Sequence, residues 1–130
     1  MCGMAGILGN VNPSDIVKLR NMLAIMKYRG PDDWDTIMLD GAMLGHRRLS
    51  VIDLSRSGQQ PMTSDDGRFQ LIYNGEIYNY LELRETLSKY YVFNTNTDSE
   101  VLLNAYRHWG DAFLEKLRGM FAFCIFDNIK

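Results

Sequence analysis

The chain has 130 residues, of which 46% are hydrophobic and 23% are charged, and its formal net charge is −2. This composition predicts one globular domain, with neither an apolar run long enough to span a membrane nor a secretory signal at its start. The slightly acidic balance argues against nucleic-acid binding, and we expect a cytoplasmic protein.

The first thirty residues predict a strand followed by a helix. Small apolar residues over 2–9 are typical of a buried strand. Asn12 is a candidate N-cap, and Pro13 suits the first helical position. Gly30–Pro31 ends the helix. The apolar residues at helical spacing are Ile16, Leu19, Leu23 and Met26.

Short strands are predicted in the middle of the chain. They are expected at 36–40, 42–46, 48–53 and 69–74. Asp40–Gly41 is a turn signal between the first two strands. The polar stretch 55–67 predicts an exposed loop.

Residues 78–130 predict three helices and a strand. The helices are expected at 78–90, from Thr97 to about Trp109, and at 111–118. Leu83 and Leu87 share one face of the first, and Thr97 with Glu100 has the spacing of a capping box. The apolar run 121–127 is typical of a strand buried on both faces. The order of elements lacks regular strand–helix alternation, which favours a layered α+β fold.

Cys2 follows the initiator methionine directly. If Met1 is removed, Cys2 carries a thiol and a free α-amine with a pKa of about 7.7–8.0. Such an amine can accept the proton of its own side chain, so the nucleophile needs no histidine partner. From its position alone, Cys2 could equally be an ordinary small buried residue without a catalytic role.

Asn74 and Gly75 are predicted to end a strand. The Asn74 side chain and the Gly75 amide are candidate donors to a developing oxyanion. The alternative for Asn-Gly is a type I′ hairpin turn.

The remaining cysteine and the two histidines have simpler interpretations. A Cys–His pair would need His46 or His108, but His46 is expected to pack at the end of its strand and His108 to lie on a helix face. Cys124 is predicted to be an inert core thiol. Two cysteines and two distant histidines lack the ligand spacing of a zinc site, so no metal site is expected.

Seven short segments, taken together and in their order along the chain, indicate a protein family much more specifically than any one of them does. In chain order they are Cys2-Gly3, 28–32 (YRGPD), 46–53 (HRRLSVID), 59–62 (QQPM), 73–79 (YNGEIYN), 97–101 (TDSEV) and 118–123 (RGMFAF). In this order the chain resembles the glutaminase domain of glutamine-dependent asparagine synthetases, which are class II amidotransferases of the N-terminal-nucleophile type.

The resemblance implies roles for matching residues. Cys2 would attack the side-chain amide of glutamine, and Asn74 with Gly75 would form the oxyanion hole. Residues implied to bind glutamine are Arg48 at its α-carboxylate, Asp98 and Glu76 at its α-ammonium group, and the backbone of Val51 and Ile52.

Several of these residues also have structural interpretations. Asp98 lies at a helix start, where an acid is favourable whatever the function. One of Arg47 and Arg48 could be a solvated charge, and Glu76 could be an exposed loop acid. Arg29 is expected to brace the loop near Cys2.

The resemblance also implies a fold and a wider context. The fold would be the four-layer αββα sandwich of the N-terminal-nucleophile hydrolases, truncated at the C-terminus. Residues 1–130 would be an incomplete glutaminase domain, and the ATP-dependent synthetase domain would be absent from this chain. We therefore expect no cofactor here, because ATP and magnesium belong to that domain.

The implied function is glutamine hydrolysis that supplies ammonia for asparagine synthesis from aspartate. Glutamine and a synthetase domain, normally in the same polypeptide, are the expected partners, and homodimerisation is left open. Two alternatives also stay open. One is a non-catalytic fragment or paralogue, and the other is a glutaminase that feeds another acceptor, such as a cell-surface sugar precursor.

Overall fold

The computed structural model describes residues 1–129 as six strands, three α-helices and two 3₁₀ helices. The elements are β1 (Gly3–Leu8), α1 (Asp15–Ile25), β2 (Asp33–Leu39), β3 (Ala42–Arg48), a 3₁₀ helix (Arg56–Gly58), β4 (Met62–Thr63), β5 (Phe69–Ile77), α2 (Tyr80–Leu87), α3 (Asp98–Trp109), a 3₁₀ helix (Gly110–Lys116) and β6 (Gly119–Asp127). They form two antiparallel sheets, ordered β1-β3-β2 and β4-β5-β6. None of the helices within residues 1–129 has the length and apolar character needed to cross a bilayer.

Helix α1 covers one face of the first sheet. Leu19 and Leu23 are fully buried there against Ala5 and Met43. A side chain at Gly45 would meet Leu23 Cδ1 at 2.8 Å, so the helix approaches β3 closely because that position is a glycine. The predicted helical spacing therefore identifies the buried face of α1 correctly.

Helices α2 and α3 cover the outer face of the second sheet. Leu83 and Leu87, which were predicted to share one face of α2, are both buried there in a cluster with Val101 and Leu102 of α3. Strand β5 supplies the other side of this cluster through Leu71, Tyr73 and Ile77. The two sheets meet where β1 and β3 of the first lie against β5 of the second. The layers are therefore helix, sheet, sheet and helix, which confirms the expected αββα architecture.

The first helix starts later than predicted. Its N-cap position is Ser14, which makes no side-chain capping hydrogen bond. The Asp15 carboxylate instead accepts a hydrogen bond from the Asn12 amide at 2.9 Å. Asn12 and Pro13 thus precede the helix as a turn, and the predicted cap by Asn12 is wrong; the carboxylate of Asp15 in the first turn is favourable for the helix dipole.

The predicted strand at 48–53 is wrong. Strand β3 ends at Arg48, and residues 49–54 form an irregular loop that leaves the sheet. Residues 55–67 are mainly loop, as expected, but include one 3₁₀ helix and the short strand β4. Asp40–Gly41 is confirmed as the turn between β2 and β3, with Gly41 at a φ of 79°.

The second half of the chain matches its prediction more closely. The Thr97 hydroxyl accepts a hydrogen bond from the Glu100 amide at 3.3 Å, so the predicted cap is present. The Glu100 carboxylate does not return this bond but accepts from the amides of Asn94 and Thr95. Gly110 ends the helix at a φ of 56°. The segment expected as a helix at 111–118 is a 3₁₀ helix.

Two strands, β1 and β6, are less buried than predicted. In β1 only Gly3 and Ala5 are buried, and Leu8 is 69% exposed. In β6 most residues are half-buried, because within residues 1–129 this strand pairs on one edge only, with β5. Cys124 is accordingly half-buried rather than a core residue, and burial still raises the pKa of its thiol.

Candidate active site

A cavity of about 360 Å³ opens where β1, β3 and β5 converge. Its walls include every residue that the sequence predicted for catalysis or glutamine binding. These residues are Cys2, Arg48, Val51, Ile52, Asn74, Gly75, Glu76 and Asp98. The fold therefore brings together side chains that lie as far apart in the chain as Cys2 and Asp98.

Cys2 is held in the cavity by backbone contacts. Its Sγ accepts a hydrogen bond from the Leu49 amide at 3.4 Å and lies 3.7 Å from the Leu49 carbonyl oxygen. The Arg29 Nε donates to the Cys2 carbonyl oxygen at 3.2 Å, which is the bracing contact expected of Arg29. These contacts hold the sulfur atom at the wall of the cavity.

The structure distinguishes Arg48 from its neighbour Arg47. Arg48 is buried, and its guanidinium donates to the carbonyl oxygens of Asp53 and Ser55, the latter at 2.6 Å. Arg47 points to the opposite face of β3, where its Nε donates to the Leu23 carbonyl at 3.1 Å. Its guanidinium also lies 5.6 Å from the ring centre of Trp34. Arg48 is therefore the arginine that faces the cavity.

Asn74 and Gly75 lie inside β5 rather than at its end. They pair with Ala122 and Phe121 of β6, so the alternative of a type I′ turn is wrong. A Cβ at Gly75 would lie 2.3 Å from the Met120 carbonyl oxygen. Glycine is thus required for the close approach of β5 and β6 beside the cavity.

The acidic residues of the site differ in burial. Asp98 is 5% exposed and is the first residue of α3. Its Oδ2 accepts hydrogen bonds from the Tyr73 hydroxyl at 2.6 Å and from the Ile77 amide at 3.1 Å. Glu76 lies on the rim of the cavity and is exposed.

Neither histidine is paired with Cys2. His46 is completely buried, and its Nε2 lies 2.9 Å from the Tyr73 carbonyl oxygen, to which it donates. Burial lowers the pKa of His46 to about 4, so the ring is neutral at pH 7. His108 lies at the end of α3 among the rings of Tyr90, Tyr91 and Trp109.

Sequence reasoning missed several residues that support the cavity. The Gln60 Oε1 accepts from the Tyr73 amide at 2.6 Å, and its Nε2 donates to the Ser99 hydroxyl at 3.2 Å. Asp53 accepts from the amides of Ser55 and Asn96, which ties the 49–54 loop to the start of α3. The only sequence signal for Gln60 and Asp53 is their place in the segments QQPM and HRRLSVID.

The described residues offer no cluster of three or more His, Cys, Asp or Glu side chains arranged to hold a metal ion. The cavity instead combines a thiol, a buried cation and a buried anion. This set suits a small zwitterion whose reacting group reaches the thiol.

Comparison with known proteins identifies the family. A family model described as a glutamine amidotransferase domain matches residues 1–130. Asparagine synthetase (glutamine-hydrolysing) 1 of Bacillus subtilis is 42% identical over 98% of this chain and 21% of its own length. Asparagine synthetase B of Escherichia coli is 39% identical over 100% of this chain and 24% of its own length. The chain thus spans about a fifth to a quarter of these relatives.

A solved structure shares the fold. Glutamine phosphoribosylpyrophosphate amidotransferase from Bacillus subtilis superposes with a TM-score of 0.57 and 25% identity, over 68% of this chain and 21% of that one. Taken with the family match over residues 1–130 and the relatives above 38% identity, it places the fold among the N-terminal-nucleophile amidotransferases. This chain belongs to the glutamine amidotransferase domain family.

Proposed function

We propose that this chain hydrolyses L-glutamine to glutamate and ammonia, with Cys2 as the nucleophile. The observation that carries the proposal is the single cavity that Cys2 shares with buried Arg48 and buried Asp98. A planar guanidinium suits an α-carboxylate, and a carboxylate suits an α-ammonium group. These two charges would hold a free amino acid by one end and leave its side-chain amide for Cys2.

The covalent steps follow from this placement. The Cys2 thiolate adds to the amide carbon of glutamine, and the developing oxyanion is stabilised by Asn74 and the Gly75 amide. The carbon–nitrogen bond then breaks, and ammonia leaves with the proton that came from the thiol. Water attacks the resulting thioester, which releases glutamate and restores Cys2.

Removal of Met1 is part of the proposal. With Met1 in place, the nitrogen of Cys2 is a peptide amide and cannot accept a proton. Met1 is 72% exposed and forms part of the cavity wall. Its loss would create the α-amine that serves as base and would also widen the entrance beside the thiol.

Covalent labelling tests this proposal directly. The methionine-free protein is treated with a diazo-ketone analogue of glutamine and its intact mass is measured. We expect one adduct, which Cys2→Ala abolishes and Cys124→Ala retains. An unlabelled protein that is folded and free of Met1 would contradict the proposal, as would glutamate release by Cys2→Ala.

The relatives suggest where the ammonia goes. Their names describe asparagine synthetases that hydrolyse glutamine, and they are four to five times as long as this chain. We propose that a synthetase domain in the same polypeptide uses ATP and magnesium to transfer this ammonia to aspartate. Cytoplasmic location stays a prediction from the sequence, and homodimerisation stays open.

Isotope transfer tests the second proposal. The full-length protein is given aspartate, ATP, magnesium and glutamine labelled at its amide nitrogen. We expect labelled asparagine in an amount equal to the glutamate formed above the ATP-free background. Glutamine hydrolysis that yields no labelled asparagine would point to another acceptor.

A further inference from the structure

Tyr73 connects the two parts of the proposed glutamine site, the ammonium-binding Asp98 and the oxyanion donor Asn74. Its hydroxyl donates to Asp98 Oδ2 at 2.6 Å, and the next residue along β5 is Asn74. Tyr73 is 3% exposed and forms part of the cavity wall. It was not among the residues that the sequence predicted for the site.

The backbone of Tyr73 is held by two buried side chains. Its amide donates to Gln60 Oε1 at 2.6 Å, and its carbonyl accepts from His46 Nε2 at 2.9 Å. Strand β4 pairs with β5 only at Leu71 and Gln70. Gln60 and His46 therefore replace a neighbouring strand at Tyr73, and they fix the point from which the Asn74 side chain projects.

The hydroxyl of Tyr73 determines how Asp98 is presented. In the described residues, both hydrogen bonds to the Asp98 side chain end on Oδ2, one from Tyr73 and one from the Ile77 amide. These two donors hold Oδ2, no hydrogen bond within residues 1–129 ends on Oδ1, and Asp98 forms part of the cavity wall. Burial and the adjacent Asp98 carboxylate raise the pKa of the Tyr73 hydroxyl, so it stays a donor.

We infer that Tyr73 is the positioning residue that aligns the ammonium-binding Asp98 with the oxyanion donor Asn74, and that it thereby sets the selectivity for an α-ammonium group. The inference rests on the proposed glutamine hydrolysis. It adds that selectivity depends on a buried phenol that lies behind the carboxylate.

The test compares glutamine with glutaramate, which keeps the carboxylate and the side-chain amide but lacks the α-ammonium group. Tyr73→Phe preserves the ring and removes only the hydroxyl. We expect this variant to raise KM for glutamine roughly tenfold, as loss of one hydrogen bond to a charged group does, and to change kcat less. The kcat/KM for glutaramate should stay within about twofold, so the selectivity ratio should fall.

Tyr106→Phe is the matched control. Tyr106 is also a packed tyrosine, with its ring against Phe69 and Phe113, each at 5.4 Å between ring centres, but it is not part of the cavity wall. It should leave the selectivity ratio unchanged. A Tyr73→Phe variant that weakens both substrates equally, or neither, would overturn the inference.

Binding measurements separate this inference from the proposed chemistry. In full-length Cys2→Ala protein, calorimetry measures the Kd of glutamine without turnover. Tyr73→Phe should raise this Kd roughly tenfold, and it should have little further effect once Asp98→Asn is present. Equal effects of Tyr73→Phe with and without Asp98→Asn would refute the coupling, whereas glutamine binding without any turnover in the unmutated protein would refute only the proposed hydrolysis.

Discussion

The guanidinium of Arg48 donates a hydrogen bond to the carbonyl oxygen of Ser55 at 2.6 Å, across the loop that leaves β3. A second hydrogen bond runs to the carbonyl oxygen of Asp53. The loop therefore orients the arginine before any substrate binds. Such preorganisation reduces the entropy that is lost when a carboxylate is bound.

The first prediction concerns the shape of this cation. Arg48→Lys keeps the charge but loses the planar guanidinium, which contacts two loop carbonyls and would also bind the α-carboxylate of the proposed substrate. We expect KM for glutamine to rise by roughly ten- to a hundredfold. The control is Arg47→Lys, since Arg47 contacts Leu23 and Trp34 on the other face of the sheet. Steady-state glutamate release measures both, and equal effects would contradict the assignment of Arg48.

The second prediction concerns the loop itself. The Asp53 carboxylate accepts from the Ser55 amide at 2.8 Å and from the Asn96 amide at 3.2 Å. Asp53→Ala removes both anchors, so the carbonyls that orient Arg48 become mobile. We expect KM for glutamine to rise roughly fivefold with a smaller change in kcat. An unchanged KM in a folded variant would show that the loop holds its shape without Asp53.

The third prediction concerns Gly75. An added Cβ would lie 2.3 Å from the Met120 carbonyl oxygen and 2.6 Å from Phe121 Cα, both of which are backbone atoms of β6. Because backbone atoms cannot move aside cheaply, Gly75→Ala should cost about 2–3 kcal/mol of unfolding free energy and abolish most activity.

Gly67→Ala is the control for Gly75→Ala, because it adds a Cβ that clashes with no other atom. Gly67 has a φ of 72°, but its added Cβ would meet no atom within 4 Å. It should cost about 1 kcal/mol from backbone strain alone and leave KM unchanged. Urea unfolding compares the two variants, and a Gly75→Ala cost no larger than that of Gly67→Ala would contradict the packing argument.

The fourth prediction concerns pH and His46. Burial lowers the pKa of His46 to about 4, whereas an unfolded histidine has a pKa near 6.5. The unfolded state therefore binds the proton first as pH falls, and the folded state loses stability between about pH 6.5 and 4. At about pH 4.5 the loss from this residue should reach roughly 2–3 kcal/mol.

His46→Gln isolates that contribution. The glutamine side chain can still donate to the Tyr73 carbonyl but does not titrate in this range. The free energy of unfolding, measured in urea from about pH 7 to 4.5, should fall less steeply in the variant. Parallel pH profiles for the two proteins would show that His46 does not carry the dependence.

The sequence alone determined the order of most helices and strands and the residue types of the site. Helical spacing identified the buried face of α1 through Leu19 and Leu23, and Thr97 was identified as the cap of α3. These features depend on local periodicity and on hydrogen bonds between near neighbours. They could therefore be predicted without knowledge of the fold.

Other features depended on contacts between distant parts of the chain. The segment 48–53 has the composition of a strand, but only the tertiary structure shows that it leaves the sheet after Arg48. The carbonyl oxygens that orient Arg48 belong to Asp53 in this segment and to Ser55 just after it. Likewise, Arg47 and Arg48 are equivalent in sequence, and the alternation of β3 between α1 and the cavity decides which one faces the site.

Tyr73 shows most clearly what could not be predicted from the sequence alone. In sequence it is one more aromatic residue in an apolar strand, and nothing near it reveals a partner. Asp98 lies 25 residues away, and Gln60 lies 13 residues away in a loop. Only the packing of α3 and of that loop against β5 brings their polar groups to Tyr73, where burial makes each hydrogen bond necessary.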